Sequence, residues 1–583
     1  MNTQELLKSG KTRVAWIFLL GYLIVSFCSL TLASIVQRDF GRVDVSNVTY
    51  LNSNGIPIRA KLLKPATSSG TRLPGVVYIH GYQNNRETSD AYCIEMTRRG
   101  FVVLEVDAIG RGNSGIPGSM DDPDFDTSYG ALTSFAYLKS LPYVDSIAVG
   151  LMGHSLGAEM VYNIALRDKS VKALTISGFA YTDQASPVMP HNMLMIYGKY
   201  DEYRQRMTGT KDVEAEWMAS PQTQSAFSRT NSEFGITYGN FDAGTARKVV
   251  LLPAVHIQES HSRQGIAEAV TWMRSALNPP DTYWISPENQ IWEIKEWSTL
   301  VAMVAGLGAI MPLGFILMKI RVFTPLQNNA LSDYTCSKGT FWRFAIINGL
   351  LMWLYLPIIL VLFAVHVYVI PIDGIFPMMM VNGTVWWFLW VNILGFLLLR
   401  RWLKRKSGGL DWYDLGVSFS RGRFQLHWDI IWRTILFPFA SDLTFYRLGM
   451  WFLYFPFLLL GFTLTGIFLH GQLRLPQKPT WWQTFINWSV NNVLVMVCPL
   501  AIFMLFQYVP ILTLGFIPFV GPGGMLASFT MNLFHIIGVL IMVTPLSTWF
   551  YQLTGKPYLG AIVNAALVTW MFVSSQVIAP IPV

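Results

Sequence analysis

The sequence is poor in charge and in cysteine. Only 13% of its 583 residues are Asp, Glu, Lys or Arg, about half the share of an ordinary soluble chain. Against that, 52% are apolar and 14% aromatic, with a mean hydropathy of +0.37. So little charge cannot cover the whole surface for water, and a lipid bilayer is the expected partner. Four scattered cysteines, Cys28, Cys93, Cys336 and Cys498, exclude a disulfide framework and any cysteine-based metal motif. Glutamate is missing altogether from Ser298 onward, where sixteen Lys/Arg face six Asp. Those acids, Asp333, Asp373, Asp411, Asp414, Asp429 and Asp442, fall in loops or near the ends of apolar runs. Coupled pumps place carboxylates inside the bundle, so ion-driven transport is not expected. The first 297 residues hold 27 bases and 29 acids, so the net charge of +8 belongs to the back half. That asymmetry reads as membrane orientation, and no nucleic-acid partner is expected.

What is present divides the chain. A single core stops growing near ~250–300 residues, so several domains are expected. The run "VAWIFLLGYLIVSFCSLTLASIV" supplies 23 residues without a charge, enough for one crossing of ~20 residues. It predicts an uncleaved anchor over 14–36 after a cytoplasmic N-terminus, 1–13. Residues 37–285 alternate short β-rich runs with amphipathic helical stretches, which predicts an extracytoplasmic α/β domain with a mostly parallel sheet. A Pro- and Trp-rich linker is expected over 286–297, and a polytopic helical domain over 298–583. Spans are predicted near 300–318, 344–367, 385–399, 448–470, 485–508, 525–550 and 559–578, about eight membrane helices with the anchor. Alternating them places sixteen Lys/Arg inside and three outside, in keeping with the positive-inside tendency. Two segments could depart from this count. "SRGRFQLHWDIIWRTILFPFASD" has the composition of an interfacial segment, and "VPILTLGFIPFVGPGG" is short and broken enough to be re-entrant.

The chemistry concentrates in "GHSLG", Gly153 to Gly157, preceded by the apolar "SIAVGLM" and followed by the helical "AEMVYNIAL". A serine between glycines at a strand-to-helix corner fits the nucleophile elbow, whose tight turn leaves no room for side chains at the flanking positions. "YIHGY" and "DAIGRGNSG" precede this motif, and "IYGKYDEY" and "PAVHIQESHSRQGIAEAVTWM" come after it. On these motifs residues 44–277 resemble the α/β-hydrolase superfamily. The resemblance implies Ser155 as nucleophile, Asp201 as the acid and His256 as the base, with His261 as the alternative base and Glu202 as the alternative acid. It also implies an oxyanion hole from the backbone N–H groups of Tyr82 and Leu156, supported by Gly153, Gly157, His80 and Gly81. Arg111 is read as a solvated turn residue.

A serine hydroxyl needs an imidazole to take its proton, and the imidazole needs a carboxylate to fix its tautomer. The expected activity is therefore serine hydrolysis of an amphipathic or lipid-like ester through an acyl-enzyme, with no metal and no organic cofactor. Cleavage of a peptide or other amide by the same residues remains open. So does a transporter or scaffold whose hydrolase domain only binds.

Overall fold

The computed structural model describes residues 10–67, 70–321, 323, 333–370, 372, 374–405, 410–418, 444–521 and 524–578. Segment 420–442, expected at the interface, lies outside the described residues. The chain clusters into two units. One comprises Ser29–Thr299, Tyr508–Ala527 and Ser575–Val583; the other comprises Met1–Cys28, Leu300–Gln507 and Ser528–Ser574.

The first unit is built on eight strands: β1 (Val43–Leu51), β2 (Pro57–Pro65), β3 (Leu73–Ile79), β4 (Val102–Val106), β5 (Val144–His154), β6 (Ala173–Ser177), β7 (Met193–Gly198) and β8 (Arg247–Leu252). Their order across the sheet is β1-β2-β4-β3-β5-β6-β7-β8. The β1–β2 hairpin and the β2–β4 pair are antiparallel, and every other pair is parallel. The hairpin turn is held by Asn52, whose side-chain oxygen accepts from the N–H groups of Asn54 and Ile56 at 3.0 and 2.9 Å. Parallel strands covered on both faces read as continuous apolar runs, and β3, β4, β6 and β7 are buried at every position. Because successive side chains alternate, neighbours divide between two cores. Val77, Leu104, Leu151 and Ile176 pack on one face; Val76, Val103, Met152 and Ala173 pack on the other.

Residues 286–297 are bonded to the α/β unit. Glu95 accepts from the N–H groups of Ile291 and Trp292 at 2.7 and 3.2 Å, and a helix already begins at Trp292. A buried carboxylate therefore caps residues whose composition alone suggested loop. The long insertion after β7 carries the short helices Arg204–Thr208, Val213–Glu216 and Pro221–Phe227, which set Trp217 wholly inside the core.

Among the described residues eight helices are long and apolar enough to cross a membrane: Thr12–Gln37, Trp292–Leu317, Lys338–His366, Met379–Arg405, Phe445–Gln472, Trp481–Leu514, Met525–Thr554 and Tyr558–Ser575. Each overlaps one predicted span. In the second unit amides and hydroxyls join helices. Thr465 bonds Asn392 at 2.7 Å, Tyr454 bonds Asn382 at 2.6 Å, and Asn564 donates to the Val543 carbonyl at 2.9 Å.

Candidate active site

β5 ends at His154, and the helix Leu156–Ala165 starts one residue later. Ser155 makes the corner alone, with φ 52° and ψ −122°, a conformation that costs a non-glycine residue about 1–3 kcal/mol. The turn is held by the Ser155 N–H, which donates to the Ser177 carbonyl at 2.7 Å. Its glycines are needed for space. A Cβ on Gly157 would lie 2.2 Å from the Ile79 oxygen, and one on Gly153 would lie 2.5 Å from the carbonyl of Gly157. The serine is consequently lifted to the rim of the sheet, half-buried rather than packed inside.

Two further loops converge on it. The turn after β7 presents Asp201, and a 3-10 turn after β8, His256–His261, presents His256. His256 Nε2 lies 2.9 Å from Ser155 Oγ, and Nδ1 lies 2.8 Å from Asp201 Oδ2. The other Asp201 oxygen accepts from the Tyr203 N–H at 2.6 Å, leaving one oxygen for the imidazole. Burial pulls the imidazole toward neutrality, but the Asp201 charge and hydrogen bond outweigh it, so His256 is raised above the ordinary histidine value. His261 is solvent-exposed, with its ring 5.7 Å from that of Trp292. Of the two candidate bases, His256 is the one beside the serine.

His80 braces the loop expected to hold the oxyanion. Its Nδ1 lies 2.8 Å from the Gly81 carbonyl, and its Nε2 lies 3.2 Å from the Ala108 N–H. That pairing requires a neutral ring with its proton on Nδ1, and burial lowers the pKa to about 3. Gly81 lies so close to the elbow that a Cβ would be 3.4 Å from Ser155 Cβ. Leu156 opens the following helix, where the first N–H groups have no intrahelical acceptor. Tyr82 is half-buried beside Arg111, which donates from Nε to the Tyr82 carbonyl at 3.0 Å. Arg111 is not solvated: it is 1% exposed and stacks between Tyr82 and Tyr129, 5.3 and 4.9 Å from their ring centroids. The glycine turn folds its guanidinium back under the loop instead of outward.

Two further buried acids stand beside these residues. Glu259, three residues after His256, accepts from the Gly198 N–H at 2.5 Å and lies 3.3 Å from His154 Nε2. Burial, and then the Asp201 charge, push its carboxyl well above the usual range. Glu202, the alternative acid in the sequence, bonds the backbone rather than the ring: its carboxylate accepts from the His256 N–H at 3.0 Å. The spacing of Glu259 from His256 on one helical turn is the only sequence signal for the first. Ligand atoms of His154, His256 and Glu259 come within 4.8 Å of one another. Both nitrogens of His256 already face Ser155 and Asp201, so that trio does not fit a metal without dismantling the serine–histidine contact.

Part of the chain is similar to known proteins. Residues 74–237 match the family described as Hydrolase_4: serine aminopeptidase, S33. The chain is 34% identical over 139 residues to an uncharacterized protein of Pseudomonas aeruginosa, covering 23% of this chain and 37% of that protein. It is 31% identical over 134 residues to an uncharacterized protein of Escherichia coli, covering 22% of this chain and 44% of the other. The match thus spans less than half the length of either relative. The structure of an esterase from Pyrobaculum calidifontis aligns at 18% identity over 44% of this chain and 92% of its own, with a TM-score of 0.30. From the sheet order, the elbow and the family match, the front part of this chain is an α/β-hydrolase domain, joined to a region of helices apolar enough to cross a membrane.

Proposed function

We propose that this chain is a membrane-bound serine hydrolase that cleaves an ester of an amphipathic or lipid-like molecule through an acyl-enzyme. One observation carries the reading: a strained, half-buried serine with an imidazole at 2.9 Å whose far nitrogen faces a buried aspartate at 2.8 Å. In this reading Ser155 attacks the ester carbon while His256 Nε2 takes the hydroxyl proton. Asp201 holds the other ring N–H and stabilises the imidazolium. The N–H groups of Tyr82 and Leu156 receive the charge on the carbonyl oxygen, a contribution of about 3–4 kcal/mol per donor in comparable sites. Collapse expels the alcohol with the proton from His256. Water then enters by the same route in reverse and frees the acid.

The basic residues flanking the helices favour a cytoplasmic N-terminus, a hydrolase domain on the outer side and a multi-pass location in a cell membrane. The apolar helices favour a substrate already dissolved in the bilayer. The name of the matching family, a serine aminopeptidase, supports a second reading in which the same residues cleave an amide.

A fluorophosphonate probe on the full-length, detergent-solubilised chain is the test. Labelling at Ser155 that is abolished by Ser155→Ala supports a serine hydrolase, and unchanged labelling or hydrolysis in that variant refutes it. Turnover of acyl esters and lipids against blocked peptides then decides between ester and amide.

A further inference from the structure

Glu202 stands next to Asp201, and a second buried carboxylate is not needed for the serine-to-aspartate relay. It is fully buried, and both of its oxygens are engaged. One accepts from the His256 backbone N–H at 3.0 Å, the other from the Tyr508 hydroxyl at 2.7 Å. Tyr508 begins the stretch Tyr508–Ala527 that clusters with the α/β unit. That stretch touches the acid turn twice more. The Arg204 guanidinium donates to the Gly515 carbonyl, and Gly524 packs so closely that a Cβ there would be 2.7 Å from Tyr203 Cδ1. Tyr203 in turn meets His256 edge-on, with ring centroids 4.8 Å apart.

Resting on the reading of Ser155 as nucleophile, we infer that Tyr508 and Glu202 are positioning residues for the hydrolysis. The phenol fixes the carboxylate, the carboxylate fixes the His256 backbone, and the imidazole is thereby kept within reach of Ser155 and Asp201 together. A residue 306 positions after Glu202 in the chain is then part of the apparatus, and the hydrolase sequence up to Leu277 lacks it.

The groups facing His256 define the readout. Asp201 lies 2.8 Å from Nδ1, Glu259 3.8 Å from the same nitrogen, and Ser155 2.9 Å from Nε2. The His154 and Tyr203 rings are each 4.8 Å away, centroid to centroid. Glu202 adds a negative charge that also raises the imidazole. The base works only when neutral, so removing that charge moves the acid limb of the rate profile to lower pH.

Full-length wild type, Tyr508→Phe, Glu202→Gln and the double variant are assayed in detergent with p-nitrophenyl butyrate and by fluorophosphonate labelling across pH. Tyr508→Phe should lower kcat about three- to tenfold with KM nearly unchanged, the loss of one hydrogen bond to a carboxylate. Glu202→Gln retains an acceptor for the His256 N–H and should shift the acid limb downward. The double variant should be no slower than the slower single one, because both changes break one linkage. Wild-type kcat and an unmoved limb in both single variants would overturn the inference, as would losses that only track the folded fraction. If Ser155→Ala also still turns over ester, the serine-hydrolase reading itself has failed. If Ser155→Ala is silent while the Tyr508 and Glu202 variants behave as wild type, only the positioning role is lost.

Discussion

The corner at Ser155 makes a prediction that separates backbone from chemistry. Replacing the serine by alanine or by glycine removes the same hydroxyl and the same 2.9 Å contact with His256. Only alanine keeps a Cβ at φ 52°, ψ −122°. The turn cannot relax, since Gly153 and Gly157 are packed against backbone and the corner N–H is committed to Ser177. Glycine therefore relieves about 1–3 kcal/mol of strain and gives back about 0.5–1 kcal/mol through the freer unfolded chain. A net gain of about 1 kcal/mol corresponds to about 2–4 °C in a domain of this size. Scanning calorimetry of the full-length variants should place the hydrolase transition of Ser155→Gly above that of Ser155→Ala, with both hydrolytically silent. An alanine variant as stable as the glycine variant would show that the corner stores no strain.

Two further outcomes follow from packing and charge. Gly157→Ala places a methyl 2.2 Å from the Ile79 oxygen and 2.5 Å from the His80 oxygen; it should cost about 1–3 kcal/mol and abolish fluorophosphonate labelling, read by melting and by the probe. Lys61 reaches Asp90 at 2.8 Å, Glu87 at 2.9 Å and Glu105 at 3.3 Å, with Asp90 and Glu105 fully buried, so Lys61→Met should cost about 3–5 kcal/mol in thermal or urea unfolding.

The features legible in the sequence are those encoded by near neighbours. The elbow needs only five consecutive residues, and the doubly covered strands announce themselves as unbroken apolar runs such as "MLMIYG". The long apolar helices are equally local, since length and hydropathy suffice to find them. His256 could be preferred over His261 from its distance to β8, though spacing alone does not say which imidazole turns inward. Arg111 was misread because composition treats a charge among glycines as solvated, whereas two tyrosines from separate loops enclose it. The Trp292 helix start depended on Glu95, nearly two hundred residues earlier. Tyr508 on Glu202 is the extreme case: neither residue carries a local mark of the other. Sequence periodicity reports which face of an element is buried and is silent about which distant element buries it.

The order of the sheet also distributes fragility. The serine's strand, β5, is flanked by β3 and β6 deep in the middle, whereas β8, just ahead of His256, has a full ladder only with β7 among the described residues, its other side meeting just the short bridge at Tyr238 and the Gly235 N–H on the Val249 carbonyl. Edge elements open at lower free energy than central ones. On warming or in mild denaturant the His256 loop should therefore part from Ser155 while the corner is still standing, and hydrogen exchange should spread from the rim inward, ahead of any loss of the central strands.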